Sequence, residues 1–188
     1  TCDCPNESQT LTAPAPPRLI PKGRYGVSVW VHLLLAKFAS QRALGNAIEG
    51  LSHYDLDLPQ GTITDGLKRI SALLEPVYEA ILARNAESFY HQADETRWSV
   101  FVEQEGKIGF RWWLWGFLSE DTTAFRIKPT RSHDVPQGHY ADEAQGVLMV
   151  DRYSAYKAMA QVKSGIILLA FCWAHVRRDF ISVGKGWP

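Results

Sequence analysis

Two aspartates stand where a carboxylate needs an explanation. Asp94 lies in HQADETRWSV, within a stretch otherwise apolar enough to be a strand, and Asp151 closes the apolar run GVLMV. Taking a carboxylate out of water is expensive, so a buried strand that ends in one implies a partner or a ligand. If the two strands are neighbours, the two side chains converge at one sheet edge. A convergent pair of this kind suits Mg²⁺ or Mn²⁺, hard cations that take oxygen ligands. An Asp after a strand also serves as a helix cap, and for Asp151, ahead of YSAYKAM, both readings stand. Capping is less natural for Asp94, because strand-like residues follow it. Glu95 belongs on the opposite face of a regular strand and is not assigned to the metal. Thr96 is a supporting candidate.

Two cysteine motifs are weaker. Cys172 and His175 form a C-x-x-H unit at a strand-to-helix junction, half of the four-ligand set that zinc requires. A small buried Cys with a capping or hydrogen-bonding His is the favoured explanation of the pair. Cys2 and Cys4 form C-x-C, which closes a zinc site only with ligands from outside residues 1–4. Arg177 and Arg178 either contact phosphate through their guanidinium forks or form a solvated helix face.

The composition supports a globular carrier for these groups. The 188 residues are 46% apolar and 12% aromatic, which excludes wholesale disorder, collagen and coiled coil. Twenty basic residues balance twenty acidic ones, which excludes a histone-like binder but not a local basic groove. Three cysteines, an odd number, form no disulfide framework and point to a reducing, cytoplasmic setting. The longest apolar stretch, 27–39, has 13 residues and carries His32 and Lys37. A membrane span needs about 20, so no membrane association is expected. The first residue is Thr1, and the methionines are Met149 and Met159, so a piece of a longer protein is expected.

Three regions emerge along the chain. Residues 1–26 carry Pro5, Pro14, Pro16, Pro17 and Pro21 and read as an extended leader, a linker or clamp. No further low-complexity tract and no internal repeat follows. Residues 27–87 read as helical. Val27, Trp30, Val31, Leu34, Leu35 and Phe38 trace one apolar face of a helix over 27–50, with Gly45 a point of interruption and Gly50 a stop. Thr62 or Thr64 caps a second helix through Leu67, Ile70, Leu73 and Leu74, which Pro76 kinks or restarts before Val77, Tyr78, Ile81 and Leu82. Polar Thr62, Thr64, Lys68 and Arg69 near its start are compatible with a DNA-reading helix-turn-helix, or with a plain helical hairpin.

Residues 88–188 change texture. Strands are expected in 88–107, 109–119 and 123–129, with turns at Glu105-Gly106 and Glu120-Asp121, giving an antiparallel meander. A polar connection over 131–144 holds a short helix. Strand 146–151, helix YSAYKAMAQ, buried strand 165–171 and a helix from CWAHVRRDF complete the order. Strands first and alternating helix and strand afterwards build a mixed sheet with helices on its faces, the element order of a ribonuclease-H-like fold. The expected class is α/β, α+β overall, with a helical N-terminal region.

Five blocks in order resemble the insertion-sequence-66 family of DDE transposases. They are TAPAPPRLIPKGRYG, LDLPQGTITDGLKRISALLEPVYEAI, HQADETRW, GVLMVDRYSAYKAM and FCWAHVRRDF. The resemblance implies a leader that follows a zinc-binding segment, a helical DNA-binding region and a ribonuclease-H-like catalytic core. It implies two Asp and one Glu holding two divalent metals, Mg²⁺ or Mn²⁺, for phosphoryl transfer on DNA. Asp94 and Asp151 match the two Asp positions, and Cys172 and His175 match a supporting C-x-x-H unit. DNA, as element ends and target, is the implied partner, with a homo-oligomer and accessory transposition proteins in the intact protein. The family's catalytic Glu lies well beyond the C-x-x-H block, so no residue up to Pro188 is assigned to it. C-x-C matches only the second half of the zinc-binding segment. Arg152 stands where the family usually has a small residue, and either repels the metal or binds phosphate. The expectation is a fragment or degenerate copy that does not cleave DNA alone. A non-catalytic DNA-binding or regulatory product is the alternative.

Overall fold

The computed structural model describes residues 12–100, 111–140 and 144–186. Helix α1 (Val27–Leu34) runs into a π-helical turn over Leu35–Ala39, followed by α2 (Leu44–Ser52) and α3 (Gln60–Ala86). Strands β1 (Tyr90–Ser99), β2 (Arg111–Leu118) and β3 (Thr123–Lys128) form the expected antiparallel meander. A short α4 (Asp134–Gln137) precedes β4 (Gly146–Val150). Helices α5 (Ser154–Ala158) and α6 (Ala160–Lys163) lead to β5 (Ile167–Phe171), and α7 (Trp173–Gly186) follows. The sheet order is β3-β2-β1-β4-β5, with β4 parallel to both of its neighbours. The fold is α+β with a helical N-terminal region, and the first and fourth strands are adjacent. Among the described residues no helix is long and apolar enough to cross a membrane. Cys2, Cys4 and the Glu105-Gly106 turn lie outside the described residues.

Contacts divide the chain into residues up to Glu75 and residues from Pro76, a boundary inside α3. The first unit packs Ile20, Trp30, Leu33, Ala36, Ala47, Leu58, Ile63 and Ile70 into one core. The apolar stripe read along 27–38 is therefore corrected. Trp30, Leu33 and Ala36 are buried, whereas Val31, Leu35 and Phe38 are exposed. α1 is apolar almost all round, so spacing alone does not select its buried face. Gly66 does, because a Cβ there would lie 2.1 Å from the buried Trp30 ring. The interruption falls at residues 40–43 and not at Gly45, which lies with Gly50 inside α2. Two wide backbone bonds, Ser40 N–H to Leu35 O and Arg42 N–H to Ala36 O, unwind the helix before either glycine.

Two expectations for α3 also change. The helix starts at Gln60, so Thr62 and Thr64 lie inside it and cap nothing. The Thr64 hydroxyl instead donates to Gln60 O at 2.9 Å. Pro76 neither breaks nor restarts the helix, which continues to Ala86 without the one amide that proline lacks.

The second unit is built on Leu82, Ala93, Trp115, Phe117, Leu148, Val150, Tyr156, Met159 and Ile167. Asn85, fully buried, donates its amide to Phe117 O and Thr122 O. Its Oδ1 therefore accepts from His139 Nε2 at 2.8 Å, which fixes the imidazole tautomer. Gly146 sits at φ 129, and a Cβ there would lie 1.9 Å from Phe89 O, so only glycine starts β4. The helix expected over YSAYKAMAQ is split at Met159, whose ψ of 141 is extended. The strand expected to be buried at 165–171 is at the edge of the sheet among the described residues, with Leu168 62% exposed.

Two predictions follow from these packings. Gly66→Ala should destabilise the protein by about 1–3 kcal/mol through overpacking against Trp30, whereas Gly61→Ala, with open space around it, should stabilise by up to about 1 kcal/mol. Urea titration of both variants checks the sign reversal. His139 is 5% exposed, and burial lowers its pKa from 6.5 to about 3. Its contribution is present in full above pH 6.5 and is lost as pH falls toward 3, because the unfolded chain binds the proton first. The acid loss of stability should therefore be smaller by a few kcal/mol (order of magnitude) in His139→Gln than in the parent, as measured by denaturation across that window.

Candidate carboxylate site at the sheet rim

Parallel register carries the candidate site. β1 and β4 pair Tyr90 with Val147, His91 with Leu148 and Gln92 with Met149. Continued two residues further, that register sets Asp94 beside Asp151, which directly follows β4. Strand alternation then separates the side chains of β1. His91 and Ala93 face the core and are buried, as is the Glu95 side chain, while Asp94 and Thr96 are exposed on the other face.

Local hydrogen bonds hold both aspartates. Asp94 Oδ1 accepts the Glu95 N–H at 3.0 Å. Asp151 Oδ1 accepts the Tyr153 N–H at 2.9 Å, immediately before α5. Asp151 thereby closes a turn ahead of α5 but does not cap it: Tyr153 precedes the helix, and among the described residues no side chain bonds the helix's first amides. The Tyr156 hydroxyl reports the shared field. Burial is the main cause raising its pKa, and Glu95, Asp151 and Asp94 each raise it further. Both aspartates therefore act electrostatically on one group of the second unit.

Glu95 is the neighbour that sequence reasoning left without a role. Its side chain is 0% exposed and is held by three donors. Arg131 Nε and Nη2 reach Oε1 at 2.7 and 2.6 Å, and the Tyr156 hydroxyl donates to Oε2 at 2.5 Å. The Arg131 guanidinium also lies 3.7 Å from the Tyr153 ring centroid and 4.8 Å from that of Trp113. The Tyr153 hydroxyl donates to Arg131 O at 3.2 Å. Burial raises the Glu95 pKa against the lowering influence of Tyr156 and Arg131, and Asp151 raises it further. This cluster joins β1, the segment after β3 and the start of α5. The available signal was alternation, which put a carboxylate on the core face and so required a cation.

The other candidates sit as follows. Arg152 forms an ion pair with Asp179 of α7, so its charge is partnered within the fold. Cys172 N–H donates to Val150 O at 2.9 Å, which brings the start of α7 beside the rim. Arg177 and Arg178 are exposed on α7. Cys172 and His175 meet through the helix backbone, and His175 Nδ1 is buried with no hydrogen-bond partner among the described residues. Among the described residues no group of three or more His, Cys, Asp or Glu side chains is placed to hold a metal. Thr62, Thr64, Lys68 and Arg69 are exposed in the first turns of α3, in the N-terminal unit.

An α+β protein with an acidic pair at the rim of a mixed sheet is the class that these features define. Residues 22–187 match the family model described as Transposase IS66 family, and the chain belongs to that family. Curated relatives come from Sinorhizobium fredii (strain NBRC 101917 / NGR234). The chain is 29% identical to uncharacterized protein y4jD over 95% of its own length and 37% of the relative's. It is 28% identical to uncharacterized protein y4hP over 97% of its own length and 34% of the relative's. The chain thus spans about a third of the length of the curated relatives it matches.

The Glu95 cluster yields a stability prediction. Arg131→Ala leaves a buried carboxylate without its cation and should cost about 3–5 kcal/mol. Adding Glu95→Gln to that variant should restore part of the loss, because the uncompensated charge is gone. A double-mutant cycle by urea denaturation measures the coupling, and additive losses would contradict the ion-pair account.

Proposed function

We propose that this chain carries the DNA-binding region and part of the ribonuclease-H-like catalytic core of a transposase, with Asp94 and Asp151 as metal-holding carboxylates. The parallel pairing of β1 with β4, whose register continued two residues sets Asp94 beside Asp151, carries the reading. The fit to a divalent cation rests on the donor set: two carboxylates, each with one oxygen bonded to a backbone amide and a second available. When bound there, Mg²⁺ or Mn²⁺ would supply charge neutralisation at phosphate and activation of water for phosphoryl transfer.

The chain's own residues do the positioning. Glu95 faces inward to Arg131 and Tyr156 and fixes β1 against α5, leaving Asp94 outward. Asp151 is oriented by the amide of Tyr153, whose ring is in turn stacked on Arg131. Arg177 and Arg178 extend a cationic surface along α7 for DNA phosphates, while Arg152 is neutralised by Asp179. Thr62, Lys68 and Arg69 on α3 serve DNA contact in the N-terminal unit. Cys172 and His175 support the strand-to-helix junction.

A specific observation favours a second reading, in which this chain binds DNA but does no chemistry. Among the described residues no third ligand joins Asp94 and Asp151, and losing a ligand disables a site built on geometry. Two measurements test the pair of readings. Mn²⁺ binding, followed by electron paramagnetic resonance, should weaken about tenfold or more in Asp94→Asn and in Asp151→Asn, a loss of at least ~1.4 kcal/mol. Equal affinity in all three proteins would remove the metal assignment. With Mn²⁺ and element-end DNA, the chain alone should show no nicking above background, and robust turnover lost in Asp94→Asn would overturn the non-catalytic reading.

A further inference from the structure

The leader, read from its prolines as a linker or clamp, is docked at its far end in the N-terminal unit. Ile20 is buried in that unit's core. The Gly23 N–H donates to Ile20 O at 2.9 Å, with Lys22 at a φ of 60. The Arg18 guanidinium donates to Gly23 O and closes the turn from the other side. A Cβ on Gly23 would lie 2.9 Å from the Ile20 carbonyl, so the turn is tight. Tyr25 then meets the Trp30 ring edge-on at 6.1 Å. Lys22 and Arg24 are therefore held, exposed, on an anchored turn and not on a free tail.

That turn faces the first turns of α3 across an open cavity of about 260 Å³. Its polar lining is Lys22, Arg24, Thr62, Asp65 and Arg69. Three cations meet a single carboxylate, so the cleft is net positive. None of the three forms an ion pair among the described residues. Elsewhere the exposed Arg84 and Arg152 do find carboxylates, Asp121 and Asp179.

We propose that this cleft is a phosphodiester-binding site, in which Lys22 and Arg24 from the leader and Arg69 from α3 clamp the backbone of DNA, with the Thr62 hydroxyl as a further donor. Cations and hydroxyls of this kind fix register on a duplex without reading its bases. The inference rests on the DNA-binding reading above and adds to it a site that joins the leader to the helix. Lys22 thereby becomes a positioning contact for DNA, and the proline-rich segment acts as a clamp.

The test is fluorescence anisotropy of the 188-residue chain with a labelled DNA duplex, titrated at several salt concentrations. Lys22→Ala plus Arg24→Ala should weaken binding about tenfold and make the log–log salt slope shallower by about 1–2, since each lost phosphate contact contributes ~0.9. The charge-preserving Lys22→Arg should retain the parent's affinity, and Arg69→Gln, which removes one cation, should weaken binding about threefold and make the slope shallower by about 0.9. Melting curves that match the parent's exclude a folding defect at these exposed positions. Parent-like affinity and slope in the double variant would overturn the leader site while leaving DNA binding by α3 standing. No salt-sensitive binding by the parent would overturn both.

Discussion

The ion pair between Arg131 and the buried side chain of Glu95 is the constraint on which the rest of the second unit depends. A carboxylate in a low-dielectric interior is tolerated only when its charge and lone pairs are matched. Here one oxygen takes two guanidinium donors and the other takes the Tyr156 hydroxyl. Matching these groups brings together three pieces of chain that are distant in sequence. Because the match fails if any piece shifts, it specifies how the segment after β3 and the start of α5 meet β1. Trp113 and Tyr153 add aromatic faces to the same guanidinium, so the cation is packed as well as paired.

The acidic rim inherits its geometry from that match. Asp94 and Glu95 are consecutive, so on a strand they point to opposite faces. Anchoring one inward therefore holds the other outward. Asp151 is fixed independently, by the parallel pairing of β4 and by the Tyr153 amide, yet Tyr153 is itself stacked on Arg131. Both aspartates are thus referred to a single guanidinium, through different elements. The charge distribution follows the same economy of position. The chain carries equal numbers of basic and acidic residues, and its interactions with an anionic ligand are decided by where unpaired cations collect.

Much of the fold was legible because period and turn chemistry are local. The meander and the helix that starts within CWAHVRRDF follow from patterns within a few residues, whereas the adjacency of the first and fourth strands was only a condition that the element order suggested. The failures share a cause. In 27–39 nearly every position is apolar, so spacing cannot say that Trp30 and Leu33 are buried while Leu35 and Phe38 are not; that is decided by Gly66, 36 residues after Trp30. β5 reads like β4 because both are apolar runs, but a residue string reports hydrophobicity and not the number of neighbouring strands. Pro76 lies in a helix that continues through it, since proline removes one amide donor and leaves the rest of the ladder in place. In the candidate site, the two aspartates were visible from context, whereas the Arg131 partner of Glu95 was not, because nothing local to either residue names the other.

The alternation of β1 also bears on what chemistry this stretch can complete. A divalent-metal centre for phosphoryl transfer needs oxygen ligands that converge. Glu95 is the carboxylate nearest to Asp94 in sequence, yet it cannot join Asp94 at the rim without leaving the half-buried Arg131 unpaired beside the Tyr153 and Trp113 rings and breaking the contact that orients β1. Outward exposure and inward anchoring are therefore divided between adjacent residues of one strand, and neither can substitute for the other. Any further ligand must come from an element whose own side chain is not needed to hold the sheet. On this argument the DET sequence at 94–96 is a unit in which the first residue is presented outward and the second, held by Arg131 and Tyr156, supplies the rigidity that keeps it there.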